Sequence, residues 1–598
     1  MRLAGGRSST RVAVLALFLL ALALRAGHLA SVASGSLFEH HEIFTESDMY
    51  MFDQWSRRIV AGDLLGRETF HPLTGWQLSL APAETWQRWY GNAPTFNKAP
   101  FYAYLVGLMR GLFGEPMLPL SLVQVLASAA CVPLLFLLAR RLFGRGAGLL
   151  AALLLALYGP AVHFSVLMLR EVFIGLSVLL ATWRLVRLRD RPGVRRALLA
   201  GLSAGLALIV SEALVSMLAL ALVWIVWRLR GKGAPAGRLA AAYATGALIA
   251  FVPVAVRNLA VGAPVFSLAV MGSAAAAVFD TASSNPYFFE IRAASILPVL
   301  EQADGRMGAT LLACWRTFEG GLPEAALLFL RKSSGLLIPY ENPDNVNYYY
   351  AALRDPLLGW LPGYAWLLPL SVVGLGACLV WRRDLAPMLP AALSMIAGML
   401  FMLPLSRYRA SFALLLLPLA GFALARLFAC VRRRRYRAAT LLASAALLVA
   451  LAASAVQSRV VFAGRPAGPF LYRAPEFLLA SQFHERHGDI DAALREAIDL
   501  ARLNPTPGAR VGALLRAAQL EAGRARPRAA AGWLQAAGDT AASAPPLLLA
   551  VADAHLSLLG DRAAARLVLQ RAAGLARSPE LRQAVEARLR ALEPRMAP

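Results

Sequence analysis

The chain has 598 residues, 58% of them hydrophobic, and a formal net charge of +25. Its mean hydropathy of +0.56 and its repeated apolar runs of about 20 residues exclude a water-soluble fold for most of the length and predict a polytopic membrane protein. The arginines form short clusters at the ends of apolar runs rather than one continuous face, which argues against nucleic-acid binding. The four cysteines are widely spaced and indicate neither a zinc site nor a disulfide framework.

The first apolar run covers residues 12–32 and follows several arginines, as in a signal peptide. Residues 31–33, Ser-Val-Ala, resemble the small-residue site at which such peptides are cleaved. Because the run is long enough to span a bilayer, we expect it to remain as the first membrane helix.

The basic clusters define the predicted topology because arginine and lysine favour the cytoplasmic side of a membrane. The clusters are Arg2/Arg7/Arg11, Arg140/Arg141/Arg145, Arg184 through Arg196, Arg228/Arg230/Lys232/Arg238, Arg382/Arg383 and Arg432 through Arg437. Placing all of them inside predicts eleven membrane helices, near residues 12–32, 117–139, 146–163, 166–187, 196–211, 213–229, 238–260, 361–381, 385–405, 409–430 and 438–457. The segments 33–116, 163–165, 261–360, 406–409 and the chain after 457 then lie on the extracytoplasmic face.

The first outer segment carries three acids in the stretch TESDMYMFDQW, residues 45–55. Thr45-x-x-Asp48 fits the capping box of a helix that ends near Gly62, so Asp48 has a purely structural interpretation as part of a cap. Glu46 and Asp53 are expected to be solvated. Later in the segment, the apolar run 100–114 is too short to span and is predicted to lie in the membrane interface.

Several more charged side chains are predicted near the outer ends of membrane helices. They are Lys98 in the first outer segment, Arg170 and Glu171 at the start of the fourth span, and Arg407 and Arg409 at the start of the tenth. A charge at membrane depth costs about 2.5–3.5 kcal/mol on insertion scales, so such residues usually face a cavity or one another. A polar site shared with Asp48 accounts for the whole set. Individually, Lys98 and Arg409 can instead reach lipid headgroups, and Glu171 can form a structural ion pair with a distant basic residue.

Residues 470–598 change to a soluble, Ala/Leu/Arg-rich helical pattern. Gly488, Gly523 and Gly560 recur at spacings of 35 and 37 residues, close to the tetratricopeptide period of about 34 residues. About three repeats are predicted on the extracytoplasmic side, with an irregular helical bundle as the alternative.

Four segments resemble, in order, those of one enzyme family, whose members have an acid in the first outer loop, a lysine–proline-like element before an interfacial helix, and a basic motif near the outer end of a late span. The segments are SDMYMFDQWSRRIVAGD, NKAPFYAYLVGLMRGLFG, RNLAVGAPVFSLAVMG and SRYRASFALLLLPLAG. Over residues 10–460 the chain resembles the bacterial GT-C glycosyltransferases related to protein O-mannosyltransferases and to the transferase that adds aminoarabinose to lipid A.

The resemblance implies an all-α fold. Residues 1–460 are expected to form a polytopic GT-C-type bundle of eleven transmembrane helices with outer loops 33–116 and 261–360, and residues 470–598 a C-terminal α-solenoid of tetratricopeptide-like repeats.

By position, the resemblance makes Asp48 the catalytic acid, Lys98 the lysine near the donor phosphate, and Glu171 a second acid or metal ligand. The match departs in two places, since Asp48 is not followed by another acid and Ala99 separates Lys98 from Pro100. A divalent metal is compatible with this pattern and is not required by it, so metal and cofactor stay unknown.

A sugar on a polyprenyl phosphate already has a good leaving group, so the enzyme mainly has to neutralise the departing phosphate and deprotonate an acceptor hydroxyl. Lys98, Arg407 and Arg409 suit the first task because cations, and arginine bidentately, bind phosphate. Asp48 suits the second as general base in a partly desolvated pocket, because an ordinary aspartate has a pKa of only about 3.9. Direct attack would invert the anomeric centre. Further candidates for substrate binding are Glu46, Tyr50, Arg170, Asn258 and Tyr340.

The 261–360 loop contains NPYFFE and PYENPDNVNYYY, rich in aromatic and amide groups. These groups suit contacts with sugar rings, and they suit equally a lid that is packed for stability.

The leading hypothesis is an integral-membrane glycosyltransferase of the bacterial inner membrane, acting on its outer face. Its expected partners are the bilayer, a polyprenyl-phosphate sugar donor, a protein, lipid or glycan acceptor, and a protein bound by the repeat domain; no nucleic acid is expected. A transporter or flippase of polyprenyl-linked glycans remains open, although no internal repeat supports it. A membrane-anchored scaffold without catalysis also remains, but it leaves the charged residues unexplained.

Overall fold

The computed structural model describes residues 7–91, 93–230 and 235–593. It is 76% helix, and the described residues contain no strand, so the all-α prediction is confirmed. Arg2 and Lys232, two members of the predicted basic clusters, lie outside the described residues. The helices fall into two compact units, residues 1–34 with 44–463 and residues 35–43 with 464–598.

The first unit consists of long apolar helices and two groups of short helices. In chain order the helices are numbered from α1, and those up to α23 belong to this unit except α2, which belongs to the second unit. The first helices are α1 (Arg7–Val32), α2 (His40–Ile43), α3 (Asp48–Val60), α4 (Gly75–Leu80), α5 (Ala83–Trp89) and α6 (Phe101–Phe113). The next are α7 (Met117–Phe143), α8 (Arg145–Leu157), α9 (Gly159–His163), α10 (Glu171–Asp190), α11 (Val194–Val210), α12 (Val215–Arg230) and α13 (Ala236–Val261). The second group of short helices is α14 (Gly272–Phe279), α15 (Ala293–Ala303), α16 (Met307–Arg316), α17 (Leu322–Ser334), α18 (Tyr348–Arg354) and α19 (Pro356–Trp360). The unit ends with α20 (Tyr364–Val380), α21 (Leu389–Phe401), α22 (Ser406–Arg432) and α23 (Tyr436–Val456).

Seven segments of the described chain are long and apolar enough to cross a bilayer: Ser9–Val32, Met117–Phe143, Glu212–Arg230, Ala236–Val261, Pro356–Val380, Ser406–Arg432 and Tyr436–Val461. Helices also occupy the other four predicted span positions, as α8 with α9, α10, α11 and α21, but these are shorter or carry more charge. The chain is therefore a multi-pass membrane protein, and the count of eleven spans stays a prediction.

Helices α11 and α13 pack backbone to backbone. A Cβ at Gly201 on α11 would overlap the carbonyl of Tyr243, and one at Gly246 on α13 would overlap the carbonyl of Leu198. Small residues allow such close crossings in a bilayer, where van der Waals packing rather than the hydrophobic effect drives helix association. The crossing holds α11, which leads directly into the 3₁₀ turn at Glu212.

A buried arginine ties α1 to the bundle. Arg25 is fully buried, and its Nε donates to Ser128 Oγ on α7 at 2.7 Å. Its Nη atoms donate to the carbonyls of Ala21, Leu155 and Ala156 at 3.1–3.3 Å. These four acceptors replace water around the guanidinium, whose burial without partners would be costly.

The two groups of short helices share an apolar core outside the membrane helices. Trp86 and Trp89 of α5 pack with Ala277 of α14, Leu300 of α15 and Leu403, which lies just before α22. The shared core thus joins the first extramembrane segment to the start of α22. Helix α6 has 13 residues, too few to cross a bilayer, as predicted for a helix in the interface.

The second unit is a series of helices. After α2 come α24 (Gly468–Leu471), α25 (Ala474–Arg486), α26 (Ile490–Leu503), α27 (Pro507–Gly523), α28 (Pro527–Thr540), α29 (Pro545–Leu559), α30 (Arg562–Leu575) and α31 (Pro579–Ala591). From α25 onward each helix packs on the next, and α27 also contacts α25 and α29. This pattern is typical of stacked helical hairpins, while the tetratricopeptide identity stays a prediction.

Candidate active site

Asp48 is the first residue of α3, and Ser47 caps the helix. Ser47 Oγ accepts a hydrogen bond from the backbone N–H of Tyr50 at 3.1 Å. The predicted capping box starting at Thr45 is therefore wrong, because the cap lies two residues later. The Asp48 side chain does not cap its helix, and its contacts lie elsewhere.

Asp53 was expected to be solvated and is buried instead. Its carboxylate pairs with Arg57 Nε at 2.7 Å and with Arg110 of α6. Arg110 Nε also donates to Ser56 Oγ at 3.0 Å. This network joins α3 to α6 and so fixes the helix on which Asp48 stands.

The carboxylate of Asp48 lies between two cations. One oxygen accepts a hydrogen bond from Lys98 Nζ, and the other accepts from Arg407 Nη1 at 2.6 Å. The backbone N–H of Asp48 donates to Asn345 Oδ1 at 2.8 Å. Burial alone would raise the pKa of this carboxyl group, but Lys98 and Arg407 together hold the Asp48 pKa well below its ordinary value. In this state Asp48 is ionised and is a weak base.

Arg407 contacts three carboxylates. Besides Asp48, its Nε pairs with Asp344 at 2.7 Å, and its Nη1 lies 3.7 Å from Glu171 Oε1. The Arg407 side chain is only 9% exposed. Because a guanidinium stays charged and matches both carboxylate and phosphate geometry, an incoming phosphate can replace a carboxylate here.

Glu212 and Arg170 extend these contacts to a charge ring of six residues of alternating charge, which are joined by four side-chain contacts and by two electrostatic interactions without a direct contact. Arg170 donates to both carboxylate oxygens of Glu212, at 2.7 and 2.9 Å. Glu212 interacts electrostatically with Lys98, and Arg170 with Glu171. The members of this charge ring, in order, are Asp48, Lys98, Glu212, Arg170, Glu171 and Arg407. In their charged forms three cations balance three carboxylates, and Asp344 is an additional acid attached to Arg407.

The structure separates Arg409 from the charge ring. Arg409 is fully buried and donates to the carbonyls of Gly335, Ile338 and Tyr340 and to Glu341 Oε2. Its donors thus hold the segment that precedes α18 against the start of α22. This corrects the expectation that Arg409 binds the donor phosphate.

Asn258 is also structural. It is fully buried, and its Nδ2 donates to the carbonyls of Pro264, Val265 and Ser267 at 2.7–3.1 Å. Its Oδ1 accepts from Arg257 Nη1 at 3.0 Å. Asn258 therefore fixes the turn after α13, which corrects its candidacy for substrate binding.

The remaining candidates lie outside the charge ring. Tyr340 is buried and stacks on Tyr349 with ring centroids 5.7 Å apart, so it packs rather than lines the ring. Glu46 is exposed, as expected, and accepts from the backbone N–H of Gly75 at 2.7 Å. Tyr50 is half-buried on α3. Substrate contacts of Glu46 and Tyr50 stay predictions.

Sequence reasoning missed Glu212, Asp344 and Asn345. Glu212 is a charged residue at the end of a predicted span. The same feature identified Glu171 as a candidate, so it was sufficient to identify Glu212 as well. Asp344 and Asn345 lie within PYENPDNVNYYY, where many polar groups have structural roles: Asn347, for example, caps α18 through the N–H of Tyr349 at 2.9 Å. Nothing in the sequence distinguishes the two residues that reach Asp48 and Arg407.

A cavity beside Glu171 enters the helix bundle. It has a volume of about 30 Å³ and is lined by residues of α7, α8, α9, α10 and α22, with Ser128, Cys131 and Ser411 among them. Glu171 lines this cavity, and its Oε2 is buried and makes no hydrogen bond to the described residues. The cavity therefore offers space for water at the second oxygen of Glu171.

The donor set of the charge ring does not fit a divalent metal ion. Asp48 faces Lys98 and Arg407, and Asp344 faces Arg407, so cations already occupy the positions that a metal would take. Among the described residues there is no group of three or more His, Cys, Asp or Glu side chains arranged to hold a metal ion.

Comparison with protein families matches residues 97–256 to the dolichyl-phosphate-mannose-protein mannosyltransferase family. This chain carries a GT-C glycosyltransferase domain. The resemblance to GT-C glycosyltransferases inferred from the sequence motifs is thereby confirmed, whereas the tetratricopeptide repeats stay a prediction. The matched residues include Lys98, Arg170, Glu171 and Glu212, whereas Asp48 and Arg407 lie outside the match. No curated protein matches the chain.

Solved structures of an archaeal oligosaccharyltransferase show weak similarity to the chain that carries the GT-C domain. AglB from Archaeoglobus fulgidus with an inhibitory peptide and a dolichol-phosphate has 16% identity and a TM-score of 0.38, covering 74% of this chain and 54% of that one. The apo form of the Archaeoglobus fulgidus enzyme has 17% identity and a TM-score of 0.34, covering 68% and 54%. The chain thus spans about half the length of these proteins.

Proposed function

We propose that the GT-C domain transfers a sugar from a polyprenyl-phosphate donor to an acceptor hydroxyl, with Asp48 as general base. The observation that carries this proposal is the contact of one carboxylate, Asp48, with both Lys98 and Arg407. A base and two phosphate-binding cations then stand within one side-chain length of each other, as direct transfer requires.

In the proposed reaction the acceptor oxygen attacks the anomeric carbon and the bond from that carbon to the phosphate oxygen breaks. The bonding electrons leave with the phosphate, whose charge Lys98 and Arg407 neutralise. The acceptor proton passes to Asp48. The products are a glycoside with inverted anomeric configuration and a polyprenyl phosphate, and protonated Asp48 then releases its proton to the departing phosphate or to solvent.

Donor binding also has to activate the base. While Lys98 and Arg407 hold Asp48, its pKa is well below the ordinary value and it accepts protons poorly. When the donor phosphate takes over these two cations, Asp48 loses the charges that depress its pKa and becomes a stronger base. Asp48 therefore becomes a stronger base only after the donor phosphate has bound. Proton transfer from the acceptor is then limited to complexes that contain the donor.

This exchange predicts different pH profiles for the two kinetic parameters. The profile of kcat/KM reports the free enzyme and that of kcat reports the enzyme–substrate complex. Since the free Asp48 pKa is lowered, its carboxylate persists to low pH, and kcat/KM is expected to show no acid limb from Asp48 above about pH 4. The acid limb of kcat is expected at higher pH. Coincident acid limbs in the two profiles would contradict the exchange.

Asp344 is expected to compete with the donor for Arg407. It stands on a loop, lies outside the charge ring and pairs with Arg407 Nε at 2.7 Å. Asp344→Asn should therefore tighten binding of polyprenyl phosphate about 2- to 5-fold, the value of one partly exposed charge pair. Glu290→Gln, which alters an exposed acid paired with Arg292 in the same extramembrane segment, should leave affinity unchanged. Weaker binding by Asp344→Asn would show that Asp344 assists the phosphate site.

We propose that the charge ring lies on the extracytoplasmic side of a bacterial inner membrane, and that the second unit lies on that side too. This proposal is supported by the arginine clusters, which lie at the other ends of the membrane helices and favour the cytoplasmic side. In this arrangement residues 1–460 act as the transferase and the helical unit in residues 470–598 binds the acceptor or a partner protein.

The proposal is tested with the purified full-length chain, polyprenyl-phosphate monosaccharides and candidate protein, lipid and glycan acceptors. Acceptor-dependent release of polyprenyl phosphate with formation of a glycoside is the expected result. Movement of labelled donor across vesicles without cleavage would favour a flippase, and neither cleavage nor movement would favour a scaffold.

A further inference from the structure

The Glu212–Arg170 ion pair connects three parts of the chain at the charge ring. Glu212 Oε2 accepts from Arg170 Nη1 at 2.7 Å and from the backbone N–H of Ala99 at 3.2 Å. Arg170 Nη2 donates to Glu212 Oε1 at 2.9 Å, and its Nη1 also donates to the carbonyl of Val210 at 3.3 Å. The pair therefore ties together the Lys98 segment, the end of α11 and the residue before α10.

Lys98 depends on such a tie because no regular secondary structure holds it. It lies in the irregular stretch that precedes α6, and its ammonium stands on a flexible four-carbon stem. The position of Nζ is therefore set by its backbone and by the charges around it. Ala99, the next residue, is fully buried, and its N–H is the donor that Glu212 accepts.

Glu212 also acts on Lys98 through charge. The two side chains interact electrostatically, so Glu212 places a second carboxylate near the ammonium that Asp48 contacts. When a donor phosphate draws Lys98 away from Asp48, Glu212 remains as a fixed negative neighbour. Arg170 keeps this carboxylate in one orientation through two parallel hydrogen bonds, a geometry that a lysine cannot supply.

We propose that Glu212 and Arg170 are positioning residues that hold Lys98 where it meets the donor phosphate. The inference rests on the proposed function, in which Lys98 binds that phosphate. Neither residue is assigned a bond to the reacting atoms.

The test measures donor and acceptor kinetics separately in Glu212→Gln and Arg170→Lys. A hydrogen bond to a charged group is worth about 10- to 100-fold in affinity, so we expect the donor KM of Glu212→Gln, in which Lys98 is displaced from the phosphate, to rise by about that factor. Arg170→Lys, which keeps the charge but loses the fork, should give an intermediate rise. The acceptor KM should change by less than about 2-fold in both, because the acceptor does not depend on Lys98. Binding of polyprenyl phosphate alone should weaken in parallel with donor KM.

The matched control is Asp190→Asn at the opposite end of α10. Asp190 pairs with Arg141 at 2.6 Å, so this variant removes an ion pair from the same helix without touching the Lys98 segment, and it should leave both KM values unchanged. Equal rises in donor and acceptor KM, or unchanged donor KM in the folded variants, would overturn the positioning role while leaving the proposed function intact. A wild-type chain that neither binds polyprenyl phosphate nor transfers sugar would overturn both. Where Glu212→Gln reduces the yield of folded protein, Arg170→Lys alone decides between these outcomes.

Discussion

Asp48→Asn is expected to lower kcat by about 100- to 10,000-fold, the range attributed to a general base, without weakening donor binding. The asparagine keeps the size of the side chain but cannot accept the acceptor proton. It also removes the carboxylate that Lys98 and Arg407 now hold, so the donor phosphate no longer has to displace it. Affinity for polyprenyl phosphate should therefore stay the same or increase.

Turnover of a labelled donor and equilibrium binding of polyprenyl phosphate, measured on the same preparation, separate these two effects. The matched control is Glu68→Gln, an acid in the same extramembrane segment whose side chain is 81% exposed and lies 3.7 Å from Arg58. It should behave as wild type. Retained turnover in Asp48→Asn would remove Asp48 as the base, and a large loss of donor affinity would mean that Asp48 supports binding rather than competes with it.

Arg407→Gln is expected to have the second large effect, on both binding and stability. Arg407 contacts Asp48, Asp344 and Glu171, and removing it leaves three carboxylates without their shared cation. Loss of one partner from a buried ion pair costs about 3–5 kcal/mol, so the melting temperature of the purified protein should fall. Donor affinity should fall about 100-fold or more, since a charge-assisted phosphate contact is lost.

Two variants help to separate binding from folding. Arg407→Lys keeps the charge, so it should recover most of the stability and little of the affinity that depends on the guanidinium fork. Arg292→Gln removes an exposed arginine that pairs with Glu290 and should change neither quantity. Normal donor affinity in folded Arg407→Gln would show that the phosphate binds elsewhere.

The grouping of Asp48, Lys98, Glu171 and Arg407 was predictable because two simple rules act together. Arginine clusters assign the sides of the membrane, and charges at membrane depth must find partners. Both rules can be read from one sequence, and the structure brings these four side chains together. Their roles in catalysis are not read from this geometry alone and remain proposals.

Arg407 and Arg409 show what the same rules leave out. Both open α22, and the sequence analysis gave them one role. On an α-helix, residues two positions apart are related by a rotation of about 200° and so point to nearly opposite sides, which means that one site cannot use both in the same way. Arg407 faces the charge ring, whereas Arg409 serves the buried carbonyls of the segment before α18. The geometry of the helix therefore predicts different roles for Arg407 and Arg409.

Asp53 illustrates a different limit. Its sequence neighbours mix apolar Phe52 and Trp55 with polar Gln54 and Arg57, so the local sequence does not determine whether Asp53 is solvated or buried. Its burial depends on Arg110, which comes from a separate helix 57 residues later. Contacts between segments that are distant in sequence produce no periodic pattern when the segments are irregular or amphipathic. For the same reason, the contacts of Asp344 and Asn345 could not be predicted from the sequence.

The central claim is that donor phosphate takes Lys98 and Arg407 away from Asp48, and an experimental structure of the full-length protein with bound polyprenyl phosphate tests it most directly. We expect phosphate oxygens within hydrogen-bond distance of Lys98 Nζ and the Arg407 guanidinium, with the contact between Lys98 and Asp48 broken. A bound phosphate at another place, with Asp48 still held by both cations, would contradict it.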